Sequence, residues 1–269
     1  MTNPSEIIPG VLFYSYLAKM RKDKVGFFEH NTLVLQVSGL FTLETSDEKV
    51  SMSTGNMLLI RKNQLGEITK VPLNGEDYQT IVIILKEDML RKMALEQHLD
   101  KVAKYMGAPN VLIPENDFLK GFFQSVIPYV HQSEKITEAL GELKIKEAVQ
   151  LLIHIMPELK EFLFDFSEPH KIDLEKFMVN NYHYNVPVEK FAHLTGRSLA
   201  GFKRDFQKTF GMAPRQWLQE KRLTEAMHLI EKKHQKPSAI YLDLGFESLS
   251  HFSSSFKKKF GKAPTEWAI

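Results

Sequence analysis

Near the end of this 269-residue chain a twenty-residue stretch occurs twice, fifty positions apart, and no other feature limits the possible folds so strongly. Ser198 to Trp217 reads SLAGFKRDFQKTFGMAPRQW and Ser248 to Trp267 reads SLSHFSSSFKKKFGKAPTEW; ten of the twenty positions are identical. In the first copy Leu199, Phe202, Phe206 and Phe210 recur at i, i+3, i+7 and i+11, one apolar stripe of a helix, and Gly211 stops it. Leu249, Phe252, Phe256, Phe260 and Gly261 repeat the pattern. Two copies of one helical unit point to a protein that grips adjacent pieces of something repetitive. DNA, with one major-groove face per turn, is the leading candidate. A duplicated fold without a shared function is the alternative.

Each stripe is preceded by a shorter helical segment and a tight turn. VPVEKFAHLTGR places Pro187 in a first helical turn and Gly196 at the break; PSAIYLDLGF packs Ile240, Leu242 and Leu244 ahead of Gly245. The pattern is that of a helix-turn-helix, whose second helix enters the major groove. Away from its phenylalanines the first such helix carries Arg197, Ser198, Ala200, Gly201, Lys203, Arg204 and Lys208. Small residues let a backbone approach base edges, and arginine can donate two hydrogen bonds to guanine. The second presents Ser250, His251, Ser253 and Ser254, then Lys257 and Lys258; without arginine it suits phosphates better than base discrimination. A helix from about Pro214 to Lys233 joins the units and would be about 30 Å long at about 1.5 Å per residue. One DNA turn is about 34 Å.

Charge is divided between the two ends of the chain. Residues 168–269 carry +6 and residues 1–167 carry −4, although the whole chain is only +2. A basic segment bearing a duplicated helical motif implies a polyanionic partner. The polar run Ser167–Lys171 marks the expected boundary between residues 1–167, a regulatory and dimerisation domain, and residues 168–269, a DNA-binding domain.

The first segment predicts sheet, then helices. Asn31–Gly39, Leu40–Thr45, Asn56–Lys62 and Gln79–Leu85 are short runs rich in Val, Ile, Leu and Thr, separated by turn signals such as Thr54-Gly55-Asn56. They suggest a small antiparallel barrel or jelly roll over about 11–86. Helices are expected over about 87–164: one closing on Gly107, one over NDFLKGFFQSVIPYVHQ, and one opening on Ser133. In the last, Ile136, Leu140, Leu143, Val149 and Leu152–Ile153 form a stripe that fits either core or a dimer seam. The aromatics Phe13, Tyr14, Tyr16, Phe27, Phe28 and Phe41 could line a ligand cavity or fill the core. The fold class expected is therefore α+β in two domains, an antiparallel barrel with helices followed by an all-α tandem helix-turn-helix.

Other function classes find little support. There is no cysteine, which removes disulfides and thiolate chemistry and fits a reducing cytoplasm. No apolar run approaches a membrane span and the N-terminus has no secretory pattern. His30 is the only histidine between Val11 and Leu90, and no pair of residues shows a metal-ligand spacing, so neither an enzyme nor a cofactor is expected. RNA binding lacks an aromatic stacking sheet. A helical protein-interaction adaptor and a DNA-binding regulator without any ligand remain as alternatives.

The tandem units, the GFESLSHFSSSFKKKFGKAPTEW terminus and the linking RQWLQEKRLTEAMHLI helix resemble the AraC/XylS family of bacterial transcription regulators, over roughly Ile172–Ile269. The N-terminal part is similar, less specifically, to the cupin-like regulatory domains of that family. Its order of strands then helices is similar to the branch controlling type III secretion, whose regulatory domain answers to a protein. The resemblance implies duplex DNA as partner, an activator acting with RNA polymerase, and an unidentified small-molecule or protein effector, while the Ile136–Ile153 stripe leads us to expect a homodimer through helices between Glu87 and Met156. It also implies that Ala200, Lys203 and Arg204, and Ser250, Ser253 and Ser254, occupy base-reading positions. Tyr241 departs from the pattern, standing where the family's second unit has a small alanine.

Overall fold

A computed structural model describes residues 5–8, 11–23, 27–99, 102–131 and 137–267. The chain divides into two compact units, residues 1–167 and 168–269.

Among the described residues of the first unit, ten strands form two antiparallel sheets. The six-stranded sheet runs β1-β2-β9-β4-β7-β10 and the four-stranded sheet β3-β8-β5-β6. The strands are β1 (Ser5–Ile8), β2 (Leu12–Leu17), β3 (Arg21–Asp23), β4 (Asn31–Ser38), β5 (Leu40–Glu44), β6 (Lys49–Met52), β7 (Met57–Ile60), β8 (Glu67–Val71), β9 (Tyr78–Leu85) and β10 (Asn110–Ile113). Of the two arrangements expected, barrel or jelly roll, the strands form the two-sheet one, without closing into a barrel. The chain passes from one to the other between β4 and β5 at Gly39, whose φ of 87° and whose approach to the Val71 carbonyl leave no room for a Cβ. Alternation along the strands sends one set of side chains between the sheets and the other set outward. Val34, Leu58 and Tyr78 meet Phe41, Leu43 and Met52 between the sheets. Leu33, Leu59, Ile81 and Ile83 pack on the opposite face against helices.

Those helices are α1 (Glu87–Glu96), α2 (Asp117–His131), α3 (Glu138–Ile155) and α4 (Leu159–Phe164). The first ends eleven residues short of the expected stop at Gly107, because His98 takes a left-handed backbone (φ 54°) and Leu99 N–H closes on the Ala94 carbonyl. Thr137, not Ser133, caps α3, its hydroxyl accepting from Leu140 N–H. Ser133 and Ile136 lie outside the described residues. The stripe on α3 divides: Val149 and Leu152 are buried, whereas Leu143 is 62% exposed and Leu140 36%.

The second unit holds α5 (Leu174–Asn181), α6 (Val188–Leu194), α7 (Leu199–Phe210), α8 (Pro214–Lys233), α9 (Pro237–Ile240) and α10 (Leu249–Phe260), then a 3-10 turn at Pro264–Glu266. The duplication has become duplicated punctuation. Ser198 and Ser248 each cap the next helix, accepting from Gly201 N–H and His251 N–H. Gly211 and Gly261 each end it with positive φ. The inner phenylalanines Phe202, Phe206, Phe252 and Phe256 are fully buried. Two expected core positions differ. Leu242 is 54% exposed because α9 stops at Ile240 and the following residues are turns, while Leu249 at the first helical position stays 39% exposed. Tyr241 is accommodated at the margin of the second core, partly buried against it.

Candidate nucleic-acid interface

α7 and α10 are the candidate reading helices, and their phenylalanine anchors decide which faces they show. With Phe202 and Phe206 buried, Ala200, Lys203, Arg204 and Lys208 are left exposed, with Gly201 half-buried beside them. The Arg204 side chain is 82% exposed, its contact with Asp205 is a long one at 3.9 Å, and so it is available to a ligand. On α10 the exposed polar residues are Ser250, His251, Ser254, Lys257 and Lys258, and Ser253 is half-buried. Ser254 Oγ donates to the Ser250 carbonyl at 2.9 Å, which holds that side chain close to the helix. Ser198, a candidate contact, spends its hydroxyl on the cap.

Arg197 belongs elsewhere than its charge suggested. Its guanidinium turns into the unit, donating to Asp205 at 3.1 Å and to the carbonyls of Ile172 and Thr195 at 3.0 and 2.7 Å. Asp205 is also 3.2 Å from Lys171, and these two cations, Arg197 first, hold its carboxyl below the usual aspartate range. Arg197 thereby ties the segment before α5 to the turn before α7. The first reading face keeps three exposed cations, Lys203, Arg204 and Lys208.

A set of contacts centred on Arg222, which charge patterns did not single out, fixes the helices relative to each other. Arg222, on the connector α8, donates to the carbonyls of Tyr182, Tyr184 and Gly245 at 2.8, 2.9 and 3.0 Å. Burial pushes its guanidinium down to about 10, still charged at neutral pH. Gly245 has a φ of 83°, and a Cβ there would strike the His183 carbonyl and the Arg222 side chain, so the turn of the second unit sits directly on the entry to the first. Lys259, near the end of α10, reaches back to Glu220 and Thr224 on α8. Asn185 donates to Glu247 across the same junction at 3.1 Å. A fork of planar donors satisfying three carbonyls is a geometry that lysine cannot reproduce. No sequence signal short of the fold would have found it, since an arginine in a long connector helix resembles any solvated charge.

Among the described residues no cluster of histidine and acidic side chains could hold a metal, and no helix is long and apolar enough to cross a membrane.

Comparison with known proteins gives two family matches that together span most of the chain. Residues 191–268 match the helix-turn-helix domain family and residues 31–164 match the ExsA N-terminal regulatory domain. Thermoregulatory protein LcrF of Yersinia pestis is 24% identical over 238 residues, covering 83% of each chain. HTH-type transcriptional regulator ExsA of Pseudomonas aeruginosa is 23% identical over 220 residues, covering 78% of this chain and 76% of its own. Among solved structures, ToxT of Vibrio cholerae aligns over 96% of both chains at 16% identity, with a TM-score of 0.42.

Proposed function

We propose that this chain, which belongs to the AraC family of transcription regulators, activates transcription by setting α7 and α10 into two successive major-groove segments of one DNA site. The observation that carries this reading is the pairing of two phenylalanine-anchored helices whose exposed faces are small, polar or basic, held together by α8 and the Arg222 fork. The connector, about 30 Å long at about 1.5 Å per residue, is close to one DNA turn of about 34 Å. Ala200, Lys203 and Arg204 read bases from α7, and Ser250, Ser253 and Ser254 read from α10. Lys208, Lys257 and Lys258 meet phosphates, and His251 lies at the edge of the second face. Similar proteins are named as activators of virulence regulons, which supports activation over repression.

Residues 1–167 act as the regulatory unit, and the dimer forms through the exposed side of α3. Leu140 and Leu143 are the support for that seam. RNA polymerase is the partner downstream, and the cytoplasm is where the protein works. The test is binding of the full chain to duplex DNA selected from random sequence. Affinity should fall steeply as salt rises, because lysine and arginine release condensed counterions. Salt-insensitive binding, or none, would remove the assignment.

A further inference from the structure

The regulatory unit contains a cavity of about 400 Å³ that lies outside the space between its two sheets. That interior is already filled: Tyr78, Phe41, Leu43 and Met52 are almost wholly inaccessible. The cavity is on the other face of the six-stranded sheet, roofed by α2. Leu35 and Val37 of β4, Tyr14 of β2 and Ile81 of β9 make its floor; Phe123 and Ile127 of α2 make its roof. Lys120, Phe123, Gln124 and Ile127 are spaced at three and four residues, so a single face of α2 covers the void. Elsewhere the same helix closes tightly, with Leu119, Phe122 and Val126 buried. The volume falls in the range of small-molecule pockets, about 300–1,000 Å³.

The polar groups at its rim select the ligand. Among the described residues, Lys120 is the only cation in the lining, and it is already paired with Glu115, which raises its pKa. Gln79 accepts a 2.8 Å hydrogen bond from the Tyr14 hydroxyl. Its amide nitrogen, like the Gln124 side chain, makes no hydrogen bond to another described residue. A carboxylate entering this site would lose its hydration, and the lysine at the rim is already shared with Glu115. An uncharged oxygen or N–H would instead find two amides and a phenol.

We infer that this cavity between α2 and the outer face of the six-stranded sheet binds an apolar small molecule with an uncharged hydrogen-bonding head, oriented by Gln79, Tyr14 and Gln124. Such a ligand bridges α2 and the sheet and so bears on the helical side of the unit. Its regulatory consequence rests on the reading of residues 1–167 given above, but its binding is measured without DNA.

Two dyes sharing one hydrocarbon body separate the possibilities: neutral N-phenyl-1-naphthylamine and anionic 1-anilinonaphthalene-8-sulfonate. Titrated into the full chain, the neutral dye should saturate at one site per chain, and the sulfonate should bind at least about tenfold more weakly. Ile127→Trp, at a half-exposed roof position, and Val37→Phe, on the floor, should each abolish saturable binding while thermal unfolding stays cooperative. Gln79→Leu, which keeps the volume but removes the amide, should weaken the neutral dye severalfold. Absence of saturable binding to folded wild-type chain, equal affinity for the two dyes, or undiminished binding in folded Ile127→Trp or Gln79→Leu would each overturn the inference. A DNA titration of the same samples reports separately on the tandem helices.

Discussion

Arg197, Arg204 and Arg222 share a side chain and a charge but differ in what surrounds them, and that difference assigns three roles. Arg204 projects into solvent and is free to read a base. Arg204→Ala should cost about 1–3 kcal/mol on the preferred site and flatten base preference in one half of it. Lys258→Ala should weaken all sequences about equally. Identical motifs from randomised DNA for wild type and Arg204→Ala would remove Arg204 from the reading set. Arg222 gives its guanidinium to three carbonyls and so holds the second unit's turn against the entry to the first. Arg222→Lys retains the charge and loses the fork, so it should leave base preference alone and make binding more tolerant of one or two base pairs inserted between the half-sites. An unchanged insertion penalty in a folded Arg222→Lys protein would make Arg222 a purely local brace. The basic face was legible from the helical period alone. Arg197 was misplaced because its partners lie 25 residues before and eight residues after it, a distance over which sequence periodicity says nothing.

At the scale of elements, the two phenylalanine-anchored helices should fail separately. Phe206→Ala or Phe256→Ala removes a fully buried ring and should cost about 3–5 kcal/mol. Wild-type thermal stability in either variant would mean that the stripe faces solvent. In the first unit, Asp165 after α4 accepts from Ser167 N–H at 2.9 Å and Tyr105 N–H at 3.1 Å, and pairs with Arg61. Burial works against its ionisation, but these donors outweigh it and the carboxyl sits below its ordinary value. A folded pKa below the unfolded one, about 3.9, means that Asp165 stabilises the unit above about pH 4 and ceases to as pH falls through the folded value. Asp165→Asn should therefore destabilise at neutral pH, and the gap to wild type should narrow in acid unfolding below about pH 4; a gap independent of pH would rule out the charge as the cause.

The elements that were readable in advance share a physical trait. β4, β5, β7 and β9 are dense apolar runs because they are central or doubly covered strands. β6, at a sheet edge, alternates with exposed lysine and serine and lacks such a run. β10 adds to the opposite edge of the larger sheet after a long excursion from β9, so only tertiary pairing makes Asn110–Ile113 a strand. Barrel and jelly roll were both left open by the strands alone, because runs of this length and spacing fit a closed sheet and two stacked ones equally.

For the whole molecule, the exposed leucines of α3 bear on assembly. Replacing Leu140 and Leu143 with glutamate should yield a monomer that still binds a single site with both helices but occupies paired sites poorly. Sedimentation showing wild-type monomer at every accessible concentration, with and without DNA, would sink the dimer while leaving the tandem reading intact. The −4 charge of residues 1–167 against +6 on the rest keeps polyanion binding on one unit.

The Arg222 junction has a mechanical consequence. Two modules on a loose tether adapt to a duplex by shifting, and the second binds at whatever effective concentration the tether allows. Modules locked together cannot shift, so any misfit between a connector of about 30 Å and a turn of about 34 Å falls on the duplex. Bending then becomes part of the binding energy, and base pairs between the two half-sites, touched by no side chain, contribute to selectivity through their stiffness.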